Sequence, residues 1–394
     1  GTLSATVGGT SALSVSIDGS TVTGGTWSDN SSHISIDPST GVVTATSSIT
    51  GSSQTATLTY THTTGCEATA TFTVYAAPAV TSTVTDVCVG SSITLSATPS
   101  GGSWSGNDAT VATVTSSGVV TGVASGTVSA TYMDAYGGTS SVSITVHALP
   151  VYSTSAATAV CVGGNLSLSA TPVGGTWSLV GTTNKATLSG STLAANSSGT
   201  VTVRYTTSTG CYVDQQITLN DLPAVDAGSA QSVCAGGSVT LTATGASTYT
   251  WDNGVTQGQS FVPTVTKTYT VTGTDGNACV NTDQVIVTVN EVPTITGSST
   301  TVCEGSTLTL NTSVGGGSWT SGNMGVATVN ATTGVVTGVS SGSATITYTT
   351  AAGCTDTYAV TVNGSPVIGG TLSATVGGTS ALSVSIDGST VTGG

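Results

Sequence analysis

The eight cysteines are the residues of this chain most suited to covalent chemistry, and they recur at two kinds of position. One kind follows a valine and precedes a glycine-containing turn, as in VCVGSS. We call these the turn cysteines: Cys88, Cys161, Cys234 and Cys303. The other kind lies in a predicted connection between two strands, as in TGCEA. We call these the hairpin cysteines: Cys66, Cys211, Cys279 and Cys354. Their number is even and none stands in the CxxC spacing of a zinc site, so the sequence predicts disulfides.

No other set of residues predicts catalysis or a cofactor. The three histidines, His33, His62 and His147, fall at unrelated positions, and no serine stands in a GxSxG turn with a histidine and an acid in order. We therefore expect no enzyme activity, no catalytic residue, no metal site and no cofactor.

The charge of the chain excludes one class of partner. Seventeen acidic residues stand against three basic ones, Lys185, Arg204 and Lys267, which gives a formal net charge of −14. Nucleic acid is excluded as a partner, because binding it requires lysine and arginine contacts to many phosphates. The sequence has no apolar run of about 18 residues, so we expect no membrane contact in this segment.

Alternating apolar and polar residues predict the elements that position the cysteines. Segments such as SITLSATP, GTVSATYM and SATITYTT place an apolar residue at every second position. This is the period of a half-buried strand, and no stretch shows sustained helical spacing. The sequence therefore predicts an all-β protein.

Prolines and tryptophans divide the chain into modules of similar length. A proline in a short apolar joint ends each module, at positions 78, 150, 223, 293 and 366. The predicted modules 1 to 5 are residues 1–78, 79–150, 151–223, 224–293 and 294–366. Each has one tryptophan, which we expect to be a core residue on the third strand: Trp27, Trp104, Trp177, Trp251 and Trp319. Short strands around one such tryptophan are typical of an immunoglobulin-like β-sandwich.

A longer repeat encloses these modules. Residues 1–25 occur again, letter for letter, as residues 370–394, which gives a 369-residue repeat. We interpret residues 367–394 as the first strands of the next repeat, and the whole as a linear tandem array of five sandwiches per repeat. A strand that swaps between separate protomers is the alternative.

Two segments resemble the group 2 bacterial immunoglobulin-like domain. They are ATVTSSGVVTGVASGTVSATY (112–132) and ATVNATTGVVTGVSSGSATITY (327–348). Module 1 has a looser version and module 3 a weaker one, while module 4 looks like related repeats of secreted Bacteroidota surface proteins. The resemblance implies a long, repetitive cell-surface adhesin or filament, similar to gliding and surface adhesins exported by the type IX pathway.

Three rules of disulfide pairing compete. Pairing within a module joins Cys161–Cys211, Cys234–Cys279 and Cys303–Cys354. Pairing each hairpin cysteine with the next module's turn cysteine joins Cys66–Cys88, Cys211–Cys234 and Cys279–Cys303. Pairing each turn cysteine with the next module's hairpin cysteine joins Cys88–Cys211, Cys161–Cys279, Cys234–Cys354, and Cys303 with Cys66 of the next repeat.

The geometry of a sandwich favours the third rule. The turn before the second strand and the last hairpin lie at opposite ends of a module, ~25–35 Å apart, whereas a disulfide needs Cα atoms within about 7 Å. The two positions without cysteine, Thr6 and Gly138, are also partners under this rule. Free thiols and bonds within a module are the alternatives.

The sequence thus predicts a structural role outside the cell. The expected protein is a stalk or filament of a bacterial surface fibre, stiffened by disulfides between modules, which presents or forms an adhesin. Its expected partners are copies of itself along the array and surface glycans. The joint between modules 1 and 2, without a disulfide, is expected to bend first. A glycan- or receptor-binding repeat and a sheath or surface-layer component are the alternative functions.

Overall fold

A computed structural model describes residues 4–14, 16–17, 20–46, 49, 51–153, 157–181, 184–370, 376–386 and 389–390. Its regular secondary structure consists of β-strands, so the predicted all-β class is confirmed. The chain divides into two compact units, residues 1–220 and 221–394. No helix in the described ranges is long and apolar enough to cross a membrane.

The first unit contains the three predicted modules 1 to 3. The strands of module 1 are β1 (Ser4–Thr6), β2 (Thr10–Ala12), β3 (Ser16–Ile17), β4 (Ser20–Thr21), β5 (Thr26–Asp29), β6 (Ile34–Ile36), β7 (Val42–Ala45), β8 (Ser53–Thr61) and β9 (Glu67–Tyr75). Those of module 2 are β10 (Ala79–Val80), β11 (Asp86–Cys88), β12 (Ser92–Thr94), β13 (Ala97–Thr98), β14 (Ser103–Gly106), β15 (Ala112–Val114), β16 (Val119–Gly122), β17 (Gly126–Met133) and β18 (Thr139–His147). Those of module 3 are β19 (Val151–Tyr152), β20 (Ala159–Cys161), β21 (Asn165–Ser167), β22 (Ala170–Thr171), β23 (Thr176–Leu179), β24 (Ala186–Ser189), β25 (Thr192–Ala195), β26 (Gly199–Thr206) and β27 (Tyr212–Asn220).

The second unit contains modules 4 and 5 and the segment that follows. The strands of module 4 are β28 (Gln231–Cys234), β29 (Val239–Thr240), β30 (Thr248–Trp251), β31 (Ser260–Phe261), β32 (Lys267–Thr274) and β33 (Val280–Asn290). Those of module 5 are β34 (Ile295–Gly297), β35 (Thr301–Cys303), β36 (Thr307–Thr312), β37 (Ser318–Ser321), β38 (Ala327–Val329), β39 (Val335–Gly338), β40 (Gly342–Thr349) and β41 (Thr355–Asn363). The last strands are β42 (Val367–Gly370), β43 (Leu382–Ile386) and β44 (Ser389–Thr390).

Each module has a four-stranded sheet in which one edge strand, β1, β11, β20, β28 or β35, runs parallel to the last strand of the module. The strand orders are β1-β9-β8-β5, β11-β18-β17-β14, β20-β27-β26-β23, β28-β33-β32-β30 and β35-β41-β40-β37. A second sheet faces it, with orders β2-β7-β6, β12-β16-β15, β21-β25-β24, β29-β31 and β34-β36-β39-β38. This arrangement is the immunoglobulin-like sandwich that the strand pattern predicts.

Five separate clusters of buried residues form the cores, and each lies within one predicted module. The alternation of the strands explains them: in β40, Ala344, Ile346 and Tyr348 point inward and are at most 4% exposed. The module boundaries themselves remain predictions.

A tryptophan–tyrosine pair recurs in modules 1, 2, 3 and 5. The ring centroids are 5.0, 5.1, 4.8 and 4.8 Å apart for Trp27–Tyr60, Trp104–Tyr132, Trp177–Tyr205 and Trp319–Tyr348. In module 2 the tyrosine also fixes the loop before the tryptophan, because its hydroxyl donates to Pro99 O at 2.6 Å and accepts from Gly102 N at 2.6 Å. The pair therefore ties one sheet to the connection between the sheets.

Module 4 departs from this pattern, as its sequence does. Trp251 Nε1 donates to Gln257 Oε1 at 2.7 Å, and Gln257 Nε2 donates to Ala243 O at 2.8 Å. Val271 stands opposite Trp251 where the other modules have the tyrosine, and the Tyr249 hydroxyl donates to Ala246 O and accepts from Ala246 N, at 2.7 Å each.

The two copies of the repeated segment pair differently. In the first copy, β1 pairs with β9 and β2 pairs with β7 of the same module. In the second copy, β43 pairs with β42 and β44 instead, and Leu382 is 60% exposed. Residues 1–3, 15, 18–19, 371–375, 387–388 and 391–394 of the two predicted copies lie outside the described residues.

Candidate functional site: the joints between modules

Each turn cysteine is the last residue of the edge strand that runs parallel to the module's last strand, which is β11, β20, β28 or β35. Cys88 pairs with His147 on β18, and Val89 N donates to His147 O at 3.0 Å. Ser91 N then donates back to Cys88 O at 3.0 Å across Gly90, whose φ is 79°. The positive φ explains the glycine, because this conformation is costly for other residues. The tight turn holds Cys88 at the edge where the module's last strand ends.

The hairpin cysteines stand in a five-residue turn between the last two strands of a module. Thr207 N donates to Cys211 O at 2.8 Å, and Gly210 N donates to Thr207 O at 3.0 Å. The same two bonds close the turn around Cys354, at 2.8 and 3.0 Å. This turn lies at the end of the module opposite to its turn cysteine, because the last strand runs between them.

The structure brings Cys88 together with Cys211, and Cys234 together with Cys354. The Cα atoms are 5.6 and 5.7 Å apart in the two disulfides. Both distances are ordinary for a disulfide. Cys211 and Cys354 are each only 1% exposed. Each bond therefore joins the turn of one module to the hairpin of the next, within one compact unit.

Cys161 and Cys279 lie in different units. Cys161 ends β20 and Cys279 is fully buried in the last turn of module 4. Their predicted pairing remains a prediction.

Cys66 and Cys303 are the two cysteines that the structure shows as free thiols among the described residues, and both are exposed. Their backbone surroundings match those of the bonded cysteines. His62 N donates to Cys66 O at 2.9 Å, as Thr207 N does to Cys211 O. Ser306 N donates to Cys303 O at 3.0 Å, as Ser91 N does to Cys88 O. The chain therefore presents one unpaired hairpin cysteine and one unpaired turn cysteine.

The joint between modules 1 and 2 places Thr6 against Gly138. Gly9 N donates to Thr6 O at 2.8 Å, so that Thr6 has the backbone position of a turn cysteine. Asp134 N donates to Gly138 O at 2.9 Å, so that Gly138 has that of a hairpin cysteine. A Cβ atom built on Gly138 would lie 2.6 Å from Thr6 Cγ2 and 2.8 Å from Pro78 Cδ. The two positions that lack cysteine are thus in contact.

Two tyrosines flank this contact. The rings of Tyr75 and Tyr136 stack with centroids 3.4 Å apart and planes at 9°. The hydrogen bond with the Tyr136 side chain, and to a lesser extent burial, raise the pKa of Tyr75 above its ordinary value. Tyr75 lies opposite Thr6, and Tyr136 lies in the turn of Gly138. Sequence reasoning missed both residues. The signal was that module 2, which lacks the hairpin cysteine, is the one module with an aromatic residue in this turn.

Asp134 supports the same joint. Its Oδ1 accepts from Tyr136 N at 2.9 Å and from Gly138 N at 2.8 Å, and the residue is 5% exposed. Within the described part of the chain, its Oδ2 is buried and has no hydrogen-bond partner.

A histidine–aspartate hydrogen bond lies in module 2, and an arginine–aspartate ion pair lies in module 3. His147, the strand partner of Cys88, has its Nε2 2.6 Å from Asp86 Oδ1, and this hydrogen bond lowers the pKa of Asp86. Arg204 Nε and Nη2 donate to the two carboxylate oxygens of Asp214 at 2.7 Å each. The guanidinium lowers the pKa of Asp214 below its ordinary value. Both pairs connect adjacent strands of one sheet.

The tryptophans lie on the predicted strand, and their burial differs. Trp104, Trp251 and Trp319 are 7, 5 and 4% exposed, whereas Trp27 and Trp177 are partly exposed. The histidines do not converge: His62 Nδ1 lies 2.9 Å from Thr64 Oγ1, His147 pairs with Asp86, and His33 is elsewhere in module 1. Among the described residues, no group of three or more His, Cys, Asp or Glu side chains could hold a metal ion.

Comparison with known proteins adds little beyond this architecture. The chain matches no protein-family model, and no curated protein is significantly similar to it in sequence. It is similar to the N-terminal eight Ig domains of DSCAM, with 14% identity and a TM-score of 0.27, over 91% of this chain and 67% of that one. It is also similar to invasin, a bacterial integrin-binding protein, with 14% identity and a TM-score of 0.28, over 80% of this chain and 77% of invasin. For hemolin, an insect immune protein, the identity is 14% and the TM-score 0.22, over 73% of this chain and 99% of hemolin.

TM-scores of this size carry no argument about function. The class of the protein follows from its own strands instead: immunoglobulin-like sandwiches in tandem, with disulfides between neighbouring sandwiches. The resemblance to the group 2 bacterial domain remains a prediction.

Proposed function

We propose that this chain is part of an extracellular stalk or filament of a bacterial surface fibre, which presents or forms an adhesin. One observation carries the proposal: Cys88–Cys211 and Cys234–Cys354 each bond a module to its neighbour rather than to itself. A bond within a module would stabilise only that module. A bond across the joint restrains bending and carries tension from one module to the next, which suits a structure that transmits force.

The composition supports a place outside the cell. Disulfides persist in oxidising compartments. The chain has only three lysine and arginine residues, so proteases that cut at these residues have few sites. The resemblance to group 2 domains and to type IX-exported adhesins supports a bacterial surface.

The same linkage continues from one repeat to the next in this proposal. Cys303 and Cys66 are exposed thiols with the backbone positions of a turn cysteine and a hairpin cysteine. Residues 370–394 repeat the sequence with which module 1 begins. A copy of module 1 that follows module 5 would bring a hairpin cysteine to Cys303.

Two single variants of the full chain test this continuation. C66S keeps only the free turn cysteine, and C303S keeps only the free hairpin cysteine. Mixed under a glutathione redox buffer, the two variants should form a disulfide-linked heterodimer, which non-reducing electrophoresis and mass spectrometry detect when one variant carries a mass label. Each variant alone should dimerise at least tenfold less, because the like positions do not face each other. Equal dimer formation by each variant alone would contradict the proposed linkage.

A further inference from the structure

Module 3 has an open cavity at its tryptophan. The cavity has a volume of about 560 Å³ and is lined by eleven residues, among them Leu168, Val173, Trp177, Ser191 and Tyr205. This volume is in the range of sites that bind small molecules, ~300–1,000 Å³. All the lining residues belong to module 3, so the site does not depend on any joint.

A shortened turn opens this cavity. The turn between β24 and β25 has two residues, Gly190 and Ser191, whereas the corresponding turns of modules 1, 2 and 5 are residues 37–41, 115–118 and 330–334. The longer turns end in a glycine that lies against the indole. A Cβ built on Gly118 would be 2.8 Å from Trp104 Nε1, and one built on Gly334 would be 3.0 Å from Trp319 Nε1. A Cβ on Gly190 would meet nothing within 4 Å.

The uncovered indole is held in a fixed orientation. Tyr152 meets Trp177 edge-on, with centroids 6.1 Å apart and planes at 88°, and Tyr205 lies against it at 4.8 Å. The Tyr205 hydroxyl is itself anchored, since it donates to Pro172 O at 2.6 Å and accepts from Gly175 N at 2.7 Å. A ligand would therefore meet a preformed aromatic surface, which lowers the entropic cost of binding.

The lining favours one class of ligand. None of the described residues that line the cavity is charged, and the chain as a whole has a net charge of −14, which disfavours anions. An indole offers an apolar face with negative electrostatic potential, and this face suits C–H groups. Ser169, Thr176 and Ser191 are among the residues that line the cavity. A neutral sugar matches this combination, because a pyranose has an apolar face and a rim of hydroxyl groups.

We propose that the cavity of module 3 binds a neutral oligosaccharide, with a pyranose ring stacked on Trp177 and its hydroxyl groups bound by the serine and threonine side chains. This function goes beyond the mechanical role of the joints. It gives the array a binding site that recurs once in every five modules if the repeat continues.

Fluorine NMR of the full chain labelled with 5-fluorotryptophan tests the site. The five tryptophans give five resonances, and the signal missing from W177F identifies Trp177. Cellotetraose, laminaritetraose, maltotetraose and chitotetraose serve as separate probes. At least one should shift the Trp177 resonance with a Kd on the order of 1 mM, as expected for a small open site, while the Trp104 and Trp319 resonances stay unchanged.

Two blocking variants complete the test. In the first, Asn-Ala-Thr-Thr-Gly, the turn of residues 330–334, replaces Gly190–Ser191 and covers the indole. In the second, V173R places a guanidinium over the ring from a position that is 88% exposed, so the fold should not change. Each should weaken binding at least tenfold. Failure of all four sugars to shift Trp177 up to 20 mM would overturn the proposal, as would shifts that persist in both variants. Tighter binding of a proline-rich peptide than of every sugar would assign the cavity to peptides instead and overturn it too.

Discussion

Reduction of the disulfides between modules should lengthen the chain under tension by an amount that the structure sets. In the oxidised chain, the Cα atoms of Cys88 and Cys211 stay 5.6 Å apart whether or not the modules between them unfold. Tension passes through the sulfur atoms, so the enclosed residues cannot extend. The bond between Cys234 and Cys354 shields its own loop in the same way.

The shielded length follows from the sequence separations of 123 and 120 residues. A fully extended chain spans about 3.5 Å per residue. Each bond therefore hides a contour length of about 420–430 Å, and reduction of both should add about 850 Å. Bonds within single modules would hide only about 50 residues each, or about 180 Å. The three bonds within modules would together hide about 510 Å, so the two pairing rules predict a gain on reduction of about 850 Å or of about 510 Å.

Optical tweezers or atomic force microscopy can measure this length on the full chain, attached by handles at its two ends. The total contour length after complete unfolding is compared with and without a reductant. C211S and C354S should release about 430 and 420 Å without reductant if Cys161 and Cys279 are not joined, and about 330 and 360 Å if they are, because that bond still shortens the path between Cys88 and Cys354. C66S is the matched control, because Cys66 is a free thiol in this chain and its removal should release nothing. An oxidised chain that extends to the same length as the reduced one would refute the reasoning.

Three further outcomes are expected. The double variant T6C/G138C should form a disulfide, because these residues already touch, and closing a loop of this length stabilises the fold by about 5 kcal/mol in the chain-entropy model. In electron micrographs of the unmodified chain, the angle between modules 1 and 2 should vary more than the angle between modules 2 and 3. The new disulfide should narrow the range of angles between modules 1 and 2. W319A should destabilise module 5 by about 3–5 kcal/mol in urea unfolding, since the indole is 4% exposed, while M324A, at a 70% exposed site, should change little. The pKa of Asp214 in the folded protein is below its ordinary value of 3.8, so its ion pair with Arg204 stabilises module 3 fully above pH 3.8. This stabilisation is lost as the pH falls through the lower pKa of the folded state. D214N should therefore remove the contribution of this pair to the fall of the urea midpoint at acid pH.

The sequence predicts the sandwiches well because a strand has a simple period. Alternation places Val128, Ala130 and Tyr132 of β17 on one face, and all three are buried. The common tryptophan position identifies the same strand in every module. These signals are local, so they need no knowledge of how distant residues meet.

Other features depend on contacts that a local pattern does not contain. The stack of Tyr75 on Tyr136 arises where two modules meet. The open space beside Trp177 lies at the two-residue turn of Gly190, whose length becomes evident only when the ends of β24 and β25 are known.

In the proposed stalk, the joint between modules 1 and 2 would be less stiff than the disulfide-linked joints. Thr6 and Gly138 replace a cysteine pair, and the tyrosine stack provides a contact without a covalent bond. Such a contact can open and close again under load, whereas a disulfide cannot. An array with one such joint among disulfide-linked ones would bend at defined places.

Peptide mapping without reduction is the most direct test of the linkage between modules. The oxidised chain is digested with a protease that does not depend on lysine or arginine, and linked peptides are identified by mass spectrometry. We predict peptides that join Cys88 to Cys211, Cys161 to Cys279, and Cys234 to Cys354. A peptide that joins Cys161 to Cys211, or Cys234 to Cys279, would show bonds within modules and contradict the proposed stalk.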